Sequence, residues 1–278
     1  MFPIPAGRFP FLLAAMLVAR ITDAQQVITP DRNAVALNDL FLSSAWSGAF
    51  ANPACADSLL LSGSAGNGRG WSAGVFSSRS FLLPELTEGG IALNVKMPGG
   101  TVMCGGLSRK GYHLFQRMRV AAGLSRNFGG TFRAGLRFEH DAEVFGEGYG
   151  SYGSARLVAG MMARLSARVE AAAVFSKPVR QGAAFVPPYY GAGIYCRFSE
   201  HWACSAQMNY RFRQLVFGTT FHYSPLQGVS FSAGVGGRPI LMAMGFEIDC
   251  RRVRLFVTAS HRQPTGLTPS AGFVIPLP

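Results

Sequence analysis

The sequence predicts an all-β fold: a closed antiparallel transmembrane β-barrel of about 14 strands, preceded by an N-terminal plug segment. The first observation behind this prediction is alternation, since every second residue from Trp202 to Phe212 is apolar and most residues between them are polar. A period of two is typical of a β-strand with one apolar face. The second observation is repetition, because the pattern returns with a turn about every 10 to 15 residues, and each repeat has about the length of a strand that crosses a bilayer.

Composition is the third observation. Hydrophobic residues make up 49% of the chain and charged residues only 14%, whereas soluble domains carry roughly a quarter of charged residues. No segment after residue 24 is apolar over the ~18 residues that a membrane helix needs. A sheet whose outer face meets lipid explains both facts, because lipid removes the need for surface charge.

The first 24 residues have the features of a secretory signal peptide. An apolar run at 9–19 lies between Arg8 and Arg20, and a small-residue cleavage site ends at Ala24. The run is too short to span a membrane, and the prolines near its start disfavour the alternative of a buried helix. We therefore assign residues 1–24 to a signal peptide and expect an exported protein.

Residues 25–70 lack the clean alternation of the following chain. They contain Trp46 and the pair Asn52-Pro53, and they end in a glycine-rich stretch. We interpret this segment as a partial plug that enters the barrel mouth or lumen, with one extra strand at 58–64 as the alternative. Residues 71–278 are assigned to the barrel.

The barrel region accommodates about 14 strands, and even numbers are usual in closed single-chain bacterial barrels. The predicted strands are 71–80, 87–97, 101–108, 114–126, 131–139, 154–165, 168–176, 188–198, 203–213, 215–223, 229–236, 240–249, 253–261 and 269–277. Longer connections are predicted outside the cell at 81–86, 140–153, 177–187 and 262–268, and tight turns on the periplasmic side at 98–100, 127–130, 165–168 and 199–202. This asymmetry is typical of outer-membrane barrels.

The charge pattern argues against a nucleic-acid partner. The formal net charge is +12, and lysine occurs only at Lys96, Lys110 and Lys177. Proteins that bind nucleic acid gather their positive residues on one surface, whereas the arginines here are spread over the polar parity of the strands and the turns.

The polar parity is predicted to face the lumen, where arginines outnumber carboxylates. The candidate residues for an anionic solute or the carboxylate of an amphiphile are Arg117, Arg133 and Arg137, with Glu139 beside them. The alternative is that cross-strand ion pairs fill a narrow interior. A turn centred on Phe128 would place Arg117 opposite Glu139.

The next hairpin predicts a second ion pair, between Arg164 and Glu170. Aromatic residues near strand ends are predicted to form interfacial girdles. They are Trp71, Tyr112, Tyr189, Tyr190, Trp202 and Tyr223.

Five cysteines form no zinc-like spacing, so no metal site is predicted. A hairpin that turns at Glu200 would place Cys196 opposite Cys204 on the lipid-facing parity. A cross-strand disulfide is sterically feasible there in an oxidising compartment. The alternative is two small apolar side chains that face lipid.

The sequence offers little chemistry for catalysis. The stretch from His140 to Glu143 is the one titratable cluster at a strand end, but adjacent strand residues point to opposite faces. We interpret it as a solvated loop and predict that the protein is not an enzyme and needs no cofactor. The glycines at 146–153 are interpreted as a flexible external loop, since no helical period follows them.

Several motifs resemble PorV/PorQ-type outer-membrane barrels, which are distantly similar to the FadL fatty-acid channels. The matching stretches are Ala45-Trp46 with Ala51-Asn52-Pro53-Ala54, Gly89 to Leu93, Gly105 to Ser108 with Tyr112, Gly146 to Gly150, and Ser260-His261 with Gly266 to Pro269. The resemblance implies a monomeric barrel with an N-terminal plug. PorV-type members receive cargo of type IX secretion, and FadL-type members pass hydrophobic molecules.

The resulting expectation is a non-enzymatic barrel of the cell outer membrane that supports transport or secretion. Its expected partners are outer-membrane lipid and either a hydrophobic or anionic small molecule or secreted cargo with its secretion components. The alternative is a scaffold barrel with a closed lumen that binds a partner through its external loops.

Overall fold

The computed structural model describes residues 53–54, 70–146, 150–180, 188–211, 214–237, 240–250, 253–262 and 266–277, and in them the chain forms one closed antiparallel barrel. Each strand pairs with the next along the chain, and β1 pairs with β14. The strands are β1 Gly70–Arg79, β2 Thr87–Met97, β3 Thr101–Tyr112, β4 Phe115–Phe128, β5 Phe132–Phe145, β6 Gly150–Arg164, β7 Val169–Arg180, β8 Tyr189–Arg197, β9 Trp202–Arg211, β10 Gln214–Leu226, β11 Val229–Gly236, β12 Leu241–Cys250, β13 Val253–Arg262 and β14 Gly266–Leu277.

This architecture confirms the predicted fold and its 14 strands. Two short 3₁₀ turns, Ser80–Leu82 and Pro84–Leu86, join β1 to β2. We call the end of the barrel with this connection the loop end, and the end at which β1 begins and β14 finishes the terminal end. The alternative strand at 58–64 and the signal peptide lie outside the described residues.

Two connections are shorter than predicted because the strands continue into them. β5 extends to Phe145 and β6 starts at Gly150, so the predicted loop at 140–153 shrinks to a short connection. The alternation persists through this stretch: Asp141 is buried, whereas the preceding His140 is exposed on the outer face. β7 likewise extends to Arg180 instead of ending at residue 176.

The two faces of the sheet differ in chemistry as the alternation predicts. On β5, Leu136 and Phe138 are exposed on the outside, whereas Arg137 and Glu139 are fully buried on the inside. The same division holds on β9, where Met208 faces out while Gln207 and Asn209 are buried. An apolar outer surface of this kind is stable where lipid covers it. Among the described residues, no helix has the length and hydrophobicity needed to cross a bilayer.

The aromatic residues at strand ends divide between the two faces. Trp202 and Tyr223 lie on the outer face with their rings stacked at 4.4 Å, and Tyr190 also points outward. Tyr112 and Tyr189 have the inward parity instead, and the Tyr189 hydroxyl donates a hydrogen bond to Oδ1 of Asn209 at 3.0 Å. For these two tyrosines the girdle prediction is wrong, because each occupies the lumen register of its strand.

Candidate functional site in the lumen

The charged side chains of the lumen concentrate on the wall formed by β4, β5 and β6. Asp141 accepts hydrogen bonds from Arg119 Nε at 2.8 Å and from Arg117 Nη2 at 3.0 Å. Arg117 Nε also lies 3.6 Å from Glu143 Oε1. These pairs follow from the register, in which Arg119 is opposite Asp141 and Arg117 is opposite Glu143.

One row further toward the terminal end, Glu139 connects two more arginines. Its Oε1 accepts a hydrogen bond from Arg137 Nε at 2.8 Å, and its Oε2 forms an ion pair with Arg156 on β6. The side chains of Arg137 and Glu139 are only 2% and 1% exposed. Burial of charges is favourable only with such partners, because each isolated ion would lose its hydration without compensation.

The register corrects one predicted pair. The β4–β5 hairpin is centred on Gly130 and not on Phe128, since Phe128 pairs with Phe132. Gly129 and Gly130 both have positive φ, and the Gly130 N–H donates to Oδ1 of Asn127 at 3.0 Å. A tight turn after Phe128 therefore moves Arg117 from Glu139 to Glu143.

The three arginines proposed from sequence thus have different surroundings. Arg117 and Arg137 are bound to carboxylates within the wall. Arg133 has the lumen parity near the start of β5 and is half-buried, with Asn127 and Met162 as its cross-strand neighbours. Among the described residues, no ion pair includes Arg133.

Two smaller ion-pair groups lie elsewhere on the inner surface. Arg164 Nε is 3.2 Å from Glu170 Oε1, which confirms the pair predicted for the β6–β7 hairpin. On β12 and β13, Arg254 contacts Glu247 at 3.2 Å and Asp249 at 3.0 Å. Every carboxylate of the described strands therefore lies on the lumen parity: Glu88, Glu139, Asp141, Glu143, Glu170, Glu247 and Asp249.

The remaining inner surface carries further polar groups. Across the middle of β8 to β11 it presents uncharged hydrogen-bonding groups, which are Tyr189, Tyr195, Ser205, Gln207, Asn209, Thr220, His222 and Ser232. From β13 through β2 the inner surface also contains aromatic rings. There, Phe256 lies over Gly272 and Phe76 lies over Gly90, with ring atoms within 2.3 Å of where an added Cβ would sit. Glycine at these two positions leaves room for the rings.

The pair Pro53-Ala54 lies inside the barrel. Both residues are fully buried and belong to a short 3₁₀ turn. A Cβ added to Gly135 would lie 2.5 Å from the Pro53 carbonyl carbon and 2.7 Å from the Ala54 nitrogen. Gly135 on β5 therefore provides the surface against which this turn packs. Trp46 and Asn52, the other predicted plug residues, lie outside the described residues.

The loop end of the lumen is narrowed by side chains and backbone of the rim. Lys110 Nζ donates a hydrogen bond to Oγ of the buried Ser80 at 2.8 Å, and the Phe81 N–H donates to Oγ1 of Thr268 at 3.1 Å. These bonds hold the β1–β2 connection against the barrel although Phe81 and Leu82 have positive φ values of 56° and 60°. That conformation is costly for non-glycine residues.

An aromatic cluster lines the adjoining part of the same rim, on β4, β5 and β6. Phe115 and Phe145 have ring centroids 5.3 Å apart, and Phe145 and Tyr152 are 5.7 Å apart. All three have the inward parity: Phe115 and Phe145 lie one row above the pair Arg117 and Glu143, and Tyr152 lies directly opposite Glu143. Tyr152 therefore belongs to the mouth of the lumen and not to an external loop.

In the described part of the chain, the cysteines and the other side chains that could bind a metal are not gathered at one site. Cys196 is directly opposite Cys204 on the outer face, as predicted, and both are free thiols. Among the described residues, no group of three or more histidine, cysteine, aspartate or glutamate side chains is placed to hold a metal ion.

Comparison with known proteins places the fold. No protein-family model and no curated protein sequence matches the chain. The structure of the Pseudomonas putida toluene transporter TodX superposes with a TM-score of 0.59 at 10% identity, covering 91% of this chain and 98% of TodX. The chain has the fold of an outer-membrane channel barrel.

Two further solved structures agree with this assignment. The CymD monoaromatic hydrocarbon channel has a TM-score of 0.57 at 11% identity, with 86% of this chain and 93% of CymD covered. The Ralstonia pickettii toluene transporter TbuX has a TM-score of 0.55 at 10% identity, with 83% and 92% covered. At these identities the likeness concerns the fold.

Several members of the charged wall are not predicted from the sequence. Asp141 and Glu143 fall in a predicted loop, so Arg119 has no expected carboxylate and Arg117 is assigned to Glu139 instead. The available signal was the unbroken alternation of Arg137, Glu139, Asp141 and Glu143 along one parity. The role of Gly135 had no local signal, because it depends on a segment about 80 residues earlier in the chain.

Proposed function

We propose that this chain is a non-enzymatic outer-membrane barrel that passes a small hydrophobic or anionic molecule through its lumen. The observation that supports the proposal most strongly is the strand number. Eight strands enclose about the space that side chains fill, and 16 to 18 leave an aqueous channel. A barrel of 14 strands is therefore wide enough that the side chains of its polar inner wall leave part of the lumen open.

The proposal includes the N-terminal region. Residues 1–24 act as a signal peptide, and residues 25–70 form a plug that regulates passage. Pro53, buried against Gly135, supports an inserted segment at one position. The exported chain acts as a monomer with its loop end outside the cell.

Within this proposal, solute passage is favoured over support of type IX secretion. Cargo binding would need extended surfaces at the loop end, but β3 and β4 are joined there by only two residues, His113 and Leu114. The aromatic cluster of Phe115, Phe145 and Tyr152 instead offers a surface of the size of a small molecule.

A scaffold barrel that passes nothing is the second candidate. It is favoured by the buried network around Glu139 and by the position of Pro53, both of which fill part of the lumen. Its partner would bind at the external connections.

Reconstitution separates the two candidates. Proteoliposomes that contain the chain without residues 1–24 would be tested for uptake of toluene, benzoate and glucose, with protein-free and heat-denatured preparations as controls. We expect uptake of toluene or benzoate above both controls. If neither the wild-type barrel nor a Gly135→Ala variant, in which the wall or the turn at Pro53 must move, passes any of these solutes, transport is contradicted and the scaffold is favoured.

A further inference from the structure

The outward-facing charges of the barrel have one sign. The basic residues on the outer parity of the strands, among those whose side chains the structure describes, are Arg79, Arg109, Arg126, His140, Lys177 and His261. No carboxylate of the described strands shares that face, since all of them point into the lumen. Contact with lipid does not by itself explain why only positive charges lie on this face, because lipid disfavours charges of either sign.

The basic residues also concentrate at one end. Arg79, Arg109, Lys177 and His261 each lie within the last four residues of their strands, all at the loop end. Arg126 lies near the terminal end of β4 instead, and His140 lies in the middle part of β5. Below the loop-end residues the surface becomes apolar, with Ile91, Leu107 and Val120 exposed.

Arg79 and Arg109 are the two arginines of the loop-end set. They lie on β1 and β3, which are separated only by β2, so about 10 Å separates the two strands laterally. Gly89, the direct partner of Arg109, leaves the surface beside it open: an added Cβ would have its nearest atom, the Phe76 carbonyl oxygen, at 3.7 Å. A headgroup can therefore approach both guanidiniums.

The Arg109 side chain is also oriented. Its Nη2 donates a hydrogen bond to Oε1 of Gln116 on the neighbouring strand at 3.0 Å. A guanidinium has five N–H donors, so this bond fixes the group and leaves further donors for a ligand. Planar guanidiniums bind phosphate oxygens in pairs of parallel hydrogen bonds. Glu85, in the exposed 3₁₀ turn Pro84–Leu86 between β1 and β2, carries a carboxylate at this end of the barrel.

We propose that Arg79 and Arg109 form a binding site for the phosphates of lipid A in the outer leaflet, with Lys177 as a separate contact across the barrel. The site rests on the outer-membrane location in the proposed function, but not on transport. The charge complementarity is direct, because anionic headgroups at the level of the loop end would meet arginines without competing carboxylates on the same face. The acyl chains would cover the apolar band around Ile91 and Leu107.

The test is direct lipid binding to the purified, detergent-solubilised barrel. Native mass spectrometry would compare lipid A, chemically dephosphorylated lipid A and phosphatidylglycerol on the wild type, on the double variant R79Q/R109Q and on R126Q. We expect lipid A to bind best to the wild type and about fivefold more weakly for each arginine removed. R126Q is the matched control, since it removes an outward arginine at the other end, and it should bind lipid A as the wild type does.

Three outcomes overturn the site. If R79Q/R109Q binds lipid A as well as the wild type does, Arg79 and Arg109 do not form the site. If dephosphorylated lipid A binds as well as lipid A, the phosphates are not what the site recognises. If phosphatidylglycerol binds the wild type as well as lipid A does, the site is not specific for lipid A. Circular dichroism and heat-modifiable gel migration verify that each variant is folded. Failure of transport in proteoliposomes leaves these binding results unaffected, so the two proposals fail separately.

Discussion

Arg137 and Glu139 lie two residues apart on β5, and both point into the barrel, where Arg137 Nε donates a hydrogen bond to Glu139 Oε1 at 2.8 Å. The second carboxylate oxygen of Glu139 is paired with Arg156 on the next strand. One buried carboxylate therefore pairs with two arginines. Its removal would leave both cations in the lumen wall with one partner fewer.

We expect Glu139→Gln to destabilise the barrel by about 3–5 kcal/mol, because it breaks a buried ion pair from one side. Glu170→Gln is the matched control. Glu170 also pairs with an arginine, but the side chains of Arg164 and Glu170 are 48% and 28% exposed. Glu170→Gln should therefore lower the free energy of unfolding by at most about 1 kcal/mol. Equilibrium unfolding in urea, in detergent or thin lipid vesicles, measures both. Equal losses in the two variants would show that the Glu139 network contributes no more than a surface pair.

Substitution of Gly135 tests the packing of Pro53. Gly135→Ala places a methyl group 2.5 Å from the Pro53 carbonyl carbon, so either the wall or the inserted turn must move. We expect overpacking to lower the free energy of unfolding by about 1–3 kcal/mol, and we expect faster solute uptake in proteoliposomes.

Gly105→Ala provides the control for this substitution. Gly105 lies on the outer face of β3, and its added methyl group would have its nearest atom, the Ala121 carbonyl oxygen, at 3.7 Å. Stability and uptake should remain near the wild-type values. If Gly135→Ala behaves in the same way, the turn at Pro53 does not press on this wall.

Replacing either of two outward-facing residues of β5 by arginine tests whether lipid covers the outer face. Phe138 and Val144 are both exposed on that face, at 46% and 50%, but Phe138 is near the middle of the strand and Val144 near its end. Phe138→Arg should cost about 2–4 kcal/mol and Val144→Arg about 0–1 kcal/mol, because the cost of a charge depends on depth. Unfolding in lipid vesicles measures the difference. Equal small costs would mean that water reaches the middle of the strand.

Mild oxidation tests the cysteine pair. Cys196 and Cys204 are direct cross-strand partners, and the Cα separation of such partners, about 4.5–5.5 Å, lies within the range of disulfides. Copper–phenanthroline with oxygen as the electron acceptor should remove two hydrogens from the pair and link their peptides. Cys104, buried on the lumen face, should remain a thiol. Continued alkylation of both Cys196 and Cys204 after oxidation would contradict the expected proximity.

The sequence predicted the parity of the strands more reliably than their ends. Alternation is local, so residues such as Leu136 and Arg137 reveal their faces without knowledge of their neighbours. Strand ends depend on pairing: β5 continues past His140 because Asp141 and Glu143 have arginine partners on β4. Hairpin register was correct where the turn was simple, as for Cys196 opposite Cys204, and wrong at Gly130, where two glycines shift the turn.

The sequence by itself determined a barrel of 14 strands with an apolar outside and a basic, polar inside, because lipid and lumen select opposite side chains at every second position. The tertiary structure was needed to show that Asp141 binds both Arg117 and Arg119, that Gly135 packs against Pro53, and that only β2 separates the strands of Arg79 and Arg109. These relationships join residues that are distant in the chain. Strand register and barrel closure set them, and neither leaves a signal in the local period.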